Sequence, residues 1–325
     1  MDTKTTFVGL EIKSPIIVGS CGLTSEVSKL RELEKAGAGA IVLKSIFEEQ
    51  ILNEASHNMR NKEFFAFPES YDYISNYSQS NAVDKYIKLI REAKQTLTIP
   101  VVASVNCISN SEWLNFAVNM QQAGADAIEL NMFILPSDVN MTAEDVERFY
   151  EDTIQTIRRA VTIPISIKIS TYFTALARFV QKISLMGVSN LNIFNHFCLA
   201  DIDIDAMTTR PAHIMTNEDE IYDTIRWTAI LSNVAKCTLT AGGGVHKEAD
   251  VVKLLLAGAN NVQIVSALYT KGFDFITKCN DFLMQWGDQH NFNKISDFKG
   301  KLAIASNQPS AFLRVQFMKY FAEIK

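Results

Sequence analysis

The sequence predicts a (β/α)8 TIM barrel, an α/β fold with its active site at the C-terminal ends of the strands. Three observations predict it. Eight short, almost wholly apolar runs are spaced along the chain, as parallel strands buried on both faces read. Amphipathic stretches lie between them. Three helix-to-strand junctions repeat nearly one phrase, EKAGAGAIVL, QQAGADAIEL and LLAGANNVQI, in which a glycine closes a helix and a short link enters a strand. Such βα units in series close into a barrel.

In order, the strands are expected at PIIVGS (15–20), AIVLKS (40–45), PVVASVN (100–106), AIELN (127–131), PISIKI (164–169), LNIFN (191–195), TLTAGG (238–243) and VQIVSA (262–267). In DKYIKLIREAKQTL, Tyr86, Ile90, Ala93 and Leu97 share one helical face. In DVERFYEDTIQTIRRAV, Val146, Tyr150, Ile154, Ile157 and Val161 do the same. A doubly wound open sheet is the alternative, but it more often carries G-x-G-x-x-G after its first strand, and this chain has none. The poorly patterned stretches 46–82 and 196–219 follow strands, which assigns them to the C-terminal face. No linker rich in Pro, Gly or Ser divides the chain, so residues 1–325 read as one domain. A closing helix, FDFITKCNDFLMQW, and a tail occupy about 273–325.

Composition narrows the function. With 47% hydrophobic and 21% charged residues the 325-residue chain can bury a large core. A net charge of −5 gives no long-range attraction for nucleic acid or an anionic membrane. The N-terminus, MDTKTTFVGLEIKS, has no apolar signal region, and no run reaches the roughly 18 apolar residues of a membrane span, so a soluble cytoplasmic protein is expected. Cys21, Cys107, Cys198, Cys237 and Cys279 form no C-x-x-C pair, which argues for reduced thiols. His57, His196, His213, His246 and His290 show no metal-ligand spacing, and no metal is expected.

The strand ends carry the chemistry. They offer Gly19, Ser20, Cys21 and Gly22, then Lys44 and Ser45, Asn106, Asn131, Lys168, Asn195, Gly242, Gly243 and Gly244, and finally Ser266 and Ala267. Two lysines and three asparagines on one face are hard to explain as packing, because a buried unpaired ammonium is expensive. TAGGGV and VQIVSALY end the last two strands, where barrels often cradle a phosphate on backbone amides. The residues therefore point to a phosphate-bearing ligand in the barrel mouth. A lysine there could stabilise negative charge on a reduced flavin or form a Schiff base, as in aldolase-type barrels. A flavin-free phosphate-binding lyase or isomerase stays open on these grounds.

The ordered set SPIIVGSCGLT, VLKS, IPVVASVN, GADAIELN, IPISIKI, FN, GGGV and QIVSALY resembles the dihydroorotate dehydrogenase family, from about residue 5 to 300. It looks most like the soluble branch, within a divergent subgroup. The resemblance implies an FMN-dependent oxidoreductase that converts dihydroorotate to orotate in pyrimidine biosynthesis, and a homodimer. It implies that Ser20, Cys21 and Gly22 approach the flavin, that Lys44 and Ser45 contact it, and that Lys44 also nears the substrate. Asn106 would lie beside the ring, and Asn131 would bind flavin or substrate. Lys168 would lie near flavin N1 and O2, and Asn195 would bind substrate. Gly243, Gly244, Ser266 and Ala267 would hold the phosphate. Fumarate, a quinone analogue, or NAD through a partner subunit would be the oxidant.

Two departures stand out. The family reads N-L-S-C-P-N, or a serine version, after the fourth strand, and the Cys or Ser removes the C5 proton while hydride leaves C6 for the flavin. This chain reads NMFILPSD, so the base position falls on Ile134 or Leu135. An aliphatic side chain accepts no proton, and a lost general base removes about 10²–10⁴-fold in rate. Ser137 is the candidate base nearest in sequence; Asp138, Cys107, His196 and Cys198 are further substitutes. The family's substrate loop often carries N-x-G. Here the region reads YDYISNYSQSN, and Asn76 is the candidate. The alternatives are an FMN barrel acting on another cyclic amide or pyrimidine, or a flavin-binding protein without turnover. A tRNA-acting flavin barrel would need a basic surface, which the net charge opposes.

Overall fold

The computed structural model describes residues 1–47, 69–106, 110–197 and 199–304, with the backbone alone for 69–81 and 110–112. Eight parallel strands close on themselves: β1 Ile16–Val18, β2 Ala40–Val42, β3 Val101–Asn106, β4 Ala127–Asn131, β5 Ile165–Ile169, β6 Asn190–Ile193, β7 Thr238–Gly242 and β8 Asn261–Ile264. The last strand returns to the first, with Val262 opposite Ile16 and Ile264 opposite Val18. A two-residue strand, Ile46–Phe47, adds to the upper end of β3.

All eight expected runs are strands. Several stop short of the expectation because the backbone leaves the ladder at the site. β2 ends at Val42, so Lys44 and Ser45 follow the last ladder pairs. β8 ends at Ile264, and Ser266 opens a short helix.

The helices between the strands are α1 Val27–Lys35, α2 Glu69–Thr96, α3 Asn110–Gln122, α4 Ala143–Ala160, α5 Leu176–Ser184, α6 Ile221–Leu231 and α7 Glu248–Ala257. α8 Ser266–Lys271 and the closing helix α9 Asp274–Gln289 follow β8. α2 spans Glu69–Thr96, so the described residues 69–82 of the stretch 46–82, expected to be a poorly patterned loop, are helical. Its first half, ESYDYISNYSQSN, carries no apolar stripe at helical spacing and so gives no signal. α4 is better marked. Thr142 caps it by accepting from Asp145 N, Asp145 returns the bond to Thr142 N, and Val146, Tyr150, Ile154 and Ile157 are buried. In the stretch 196–219 the chain forms an antiparallel hairpin, Leu199–Asp203 with Thr208–Ala212.

Strand side chains divide into two sets. Those pointing out, such as Ile41, Ala103, Ile128, Leu130, Ile167 and Leu191, pack against Leu30, Leu33, Ile90, Trp113, Ile154 and Phe179 of the helices. Those pointing in form a floor at the N-terminal end. There Ile17, Ala40, Val42, Val102 and Ala127 meet Phe7, Val8 and Ile12 of an N-terminal hairpin, Thr5–Phe7 with Leu10–Ile12. The barrel is closed by apolar packing below and is polar above.

The repeated glycine phrase does two jobs. Gly37, Gly124 and Gly258 have φ of +98°, +95° and +113°, the left-handed turn that ends a helix without a Cβ penalty. Gly39 serves a different purpose: a Cβ there would sit inside the contact radius of the Ser14 carbonyl oxygen. Gly39→Ala is expected to force β1 and β2 apart and to lower stability by about 1–3 kcal/mol, read as a drop in Tm.

Candidate active site

The register of the sheet sets the site. In a parallel pair, residues opposite each other share a face. Ser104 lies opposite Glu129, Glu129 opposite Ser166 and Ser166 opposite Asn190. Asn131 lies opposite Lys168, Lys168 opposite Asn192, and Asn192 opposite Thr240. These polar side chains fill the barrel above its apolar floor. Asn190 Nδ2 donates to Ser166 Oγ at 3.0 Å, and Asn190 Oδ1 accepts from Thr238 and Thr240 at 2.8 and 3.0 Å.

At the centre are two charges. Glu129 is 1% exposed, and its Oε2 accepts from Asn192 Nδ2 at 3.0 Å. Lys168 is 7% exposed and has no hydrogen bond among the described residues. Burial pushes the Glu129 carboxyl above its ordinary value of 4.5, against the pull of Lys168 and of the Asn192 bond. Burial pushes the Lys168 ammonium below 10.5, against the pull of Glu129. Glu129 Oε1, Asn192 Oδ1 and Gln263 Nε2 are buried without hydrogen-bond partners among the described residues. Sequence reading named Lys168 but missed Glu129, Asn192 and Gln263. The signal was present, because Glu129 stands two residues before Asn131 in a strand and therefore shares its face.

Above the cluster opens a cavity of about 850 Å³. Ser20, Cys21, Lys44, Ser45, Asn106, Asn131, Lys168 and Asn195 all line it. The hydroxyls form a chain, with Ser20 Oγ 2.9 Å from Ser45 Oγ and Ser45 Oγ 2.7 Å from Ser104 Oγ. Asn195 Nδ2 donates to Asn131 Oδ1 at 2.6 Å. That bond leaves Asn131 Nδ2 as a donor and Asn195 Oδ1 as an acceptor without partners among the described residues.

A second cavity, about 320 Å³, continues from the first through Ser20, Cys21, Lys168 and Asn195. Gly22, Gly242, Gly243, Gly244 and Ser266 line it. Gly243 and Gly244 have φ of +101° and +72°, and a Cβ on Gly244 would collide with the Ile221 backbone. The loop from β6 closes over this end: Thr216 N donates to Ser266 Oγ at 3.0 Å, and Thr216 Oγ1 lies 3.0 Å from His246 Nε2. The result is a glycine cradle beside a polar cleft, shaped for an elongated ligand with an anionic end. Ala267 is buried and outside the lining.

The loop after β4 differs from its expected role. Tyr150 Oη donates to the Met132 carbonyl at 3.1 Å and fixes the strand end. Phe133, Ile134 and Leu135 then line the cavity. Ser137 and Asp138 are exposed and outside the lining; Asp138 caps a turn by accepting from Asn140 N at 2.9 Å. The structure therefore does not bring Ser137 to the other candidates: its side chain is exposed on the turn before α4 and outside the lining. His196 does line the cavity, but its two ring nitrogens face Glu220 Oε2 at 3.1 Å and the His213 carbonyl at 2.7 Å. The Asn76 side chain, Cys107 and Cys198 lie outside the described residues. Cys21, Cys237 and Cys279 are free thiols. Among the described residues no group of His, Cys, Asp or Glu could hold a metal, and no helix is long and apolar enough to cross a membrane.

Fold and site together define a (β/α)8 barrel with a polar cleft and a glycine-lined cavity at its C-terminal face. The family model for dihydroorotate dehydrogenase matches residues 2–285, and the chain belongs to that family. It is similar to the catalytic subunit of dihydroorotate dehydrogenase B (NAD(+)) of Thermoplasma volcanium, with 24% identity over 92% of this chain and 98% of the relative. It is 27% identical to dihydroorotate dehydrogenase A (fumarate) of Limosilactobacillus reuteri, over 80% of this chain and 85% of the relative. It is 22% identical to the chloroplastic dihydropyrimidine dehydrogenase (NADP(+)) of Arabidopsis thaliana, over 92% of this chain and 76% of the relative.

The buried carboxyl has a consequence for stability. The unfolded chain releases the Glu129 proton near 4.5, while the folded chain holds it to higher pH. Above 4.5 the unfolded state therefore binds fewer protons, and stability falls as pH rises toward the folded pKa. Glu129→Gln removes that fall. The Tm of the variant minus that of the native protein should grow more positive from pH 4.5 upward, read by thermal melts across that range.

Proposed function

We propose that this chain is an FMN-dependent oxidoreductase of the dihydroorotate dehydrogenase type, cytoplasmic and homodimeric, which oxidises a CH–CH bond in dihydroorotate or a related cyclic amide. The family match supports the reaction class. The observation that carries the site is the continuity of the glycine cradle with the lysine-bearing cleft through Ser20, Cys21, Lys168 and Asn195.

The residues fit the cofactor. Gly243, Gly244 and Ser266 would hold its phosphate on backbone amides, where Gly244 has no room for a Cβ. Ser20, Ser45 and Asn106 would meet the ring. When bound, FMN supplies a two-electron acceptor for hydride. Lys168 would place positive charge beside it in a site with little water, where that charge acts strongly. Glu129, below the lysine, favours the ammonium form. The Asn131 and Asn195 pair offers one donor and one acceptor side by side, which complements the C=O and N–H of a ring amide. Lys44 lines the same cavity and would hold an anionic substituent or carbonyl.

One observation favours a related cyclic amide over dihydroorotate itself. At the position where the family carries its base, Ile134 and Leu135 line the cavity. Neither can accept a proton.

Two outcomes are expected. The purified protein shows a flavin visible spectrum, and anaerobic dihydroorotate bleaches it only slowly, because no base stands at Ile134 or Leu135; a colourless protein would contradict the cofactor, and fast bleaching would contradict the preference for a related cyclic amide. Ser137→Ala, on its exposed turn, leaves the rate of flavin reduction within about twofold of native in stopped-flow traces.

A further inference from the structure

The large cavity has two kinds of lining. Its strand ends present amides, hydroxyls and two lysines, as described above. It is also lined by an apolar set: Phe133, Ile134 and Leu135 after β4, Met141 and Phe149 beside or on α4, and Phe197 after β6. Phe133 stacks on Phe197 with ring centroids 3.6 Å apart at 24°, which ties the two loops into one surface. Leu135 is 54% exposed and Met141 40%. A ring amide with only polar edges would satisfy Asn131, Asn195 and Lys44 and leave this wall wet. An apolar wall continuous with a polar cleft gains only when the ligand carries matching apolar surface.

We propose that the site takes ring amides bearing an aliphatic or aromatic substituent, with the amide edge on Asn131 and Asn195 and the substituent against the wall of Phe133, Leu135 and Phe197. This deepens the function proposed above and rests on it. It also gives the reshaped loop a purpose. Phe133, Ile134 and Leu135 replace the polar run of the family with a surface that selects by burial. Each methylene that reaches the wall should tighten binding about fourfold, from the transfer free energy of a buried methylene.

The test is binding, so it is independent of turnover. Isothermal calorimetry on the purified protein compares uracil, orotate, 6-propyluracil and 6-phenyluracil. The expected result is at least about tenfold tighter binding of the substituted uracils than of uracil or orotate. Leu135→Ser should erase most of that gain while uracil binding holds, and Leu135→Arg should shift preference toward orotate. Leu135 is largely solvent-exposed, so these variants keep the fold where Phe197→Ala could disturb it. The proposal is overturned if orotate binds as tightly as the substituted uracils, or if Leu135→Ser leaves their advantage intact. It is also overturned if the wall serves an apolar electron acceptor. In that case a quinone reoxidises the reduced protein in a Leu135-dependent way and the uracils show no preference. Calorimetry reads binding with or without flavin, so a colourless protein sinks the cofactor reading while the substituent preference is still decided.

Discussion

A lysine ammonium inside a barrel has to be compensated, and much of this structure follows from how that is done. Lys168 points inward from β5 with Glu129 beneath it, and neither is exposed enough for water to screen it. Removing one partner would leave a buried charge alone, which is far costlier than removing both. Asn192 holds one Glu129 oxygen, and Ser166, Asn190, Thr238 and Thr240 form a hydrogen-bonded layer beside the pair. The apolar floor of Phe7, Val8 and Ile12 keeps solvent from reaching these groups from below. The polar interior therefore opens in one direction, toward the cavity.

Among the described residues, three buried polar atoms in this cluster lack a hydrogen-bond partner: Glu129 Oε1, Asn192 Oδ1 and Gln263 Nε2. Such groups are usually satisfied by an ordered water or a ligand. The same logic explains the cradle. Backbone amides at Gly243 and Gly244 and the Ser266 hydroxyl sit where strands β7 and β8 end. An elongated ligand spanning both cavities would meet amide donors at one end and the lysine at the middle.

The strands and the C′ glycines were legible because each carries a local signal: short apolar runs, and a glycine whose φ no other residue adopts cheaply. The polar strand ends were legible for the same reason, since Lys44, Asn106, Asn131, Lys168 and Asn195 interrupt or end apolar runs. Glu129, Asn192 and Gln263 were overlooked inside runs that read as apolar, although strand periodicity places Glu129 on the face of Asn131. Ser137 shows the opposite error. Nearness in sequence suggested nearness in space, but Ser137 is exposed on the turn before α4 and outside the lining. The apolar wall was invisible for a further reason. Phe133 and Phe197 come from different loops, 64 residues apart, and only the closed barrel brings them together.

One continuous site, from the glycine cradle to the strand-end amides, is expected to hold a phosphate-bearing ring over the buried lysine. A crystal structure of the protein loaded with FMN tests it most directly. The phosphate is expected on the backbone of Gly243 and Gly244 beside Ser266, and the ring against Lys168 with Ser45 and Asn106 nearby. A phosphate bound elsewhere, or a ring that leaves Lys168 facing solvent, would contradict it.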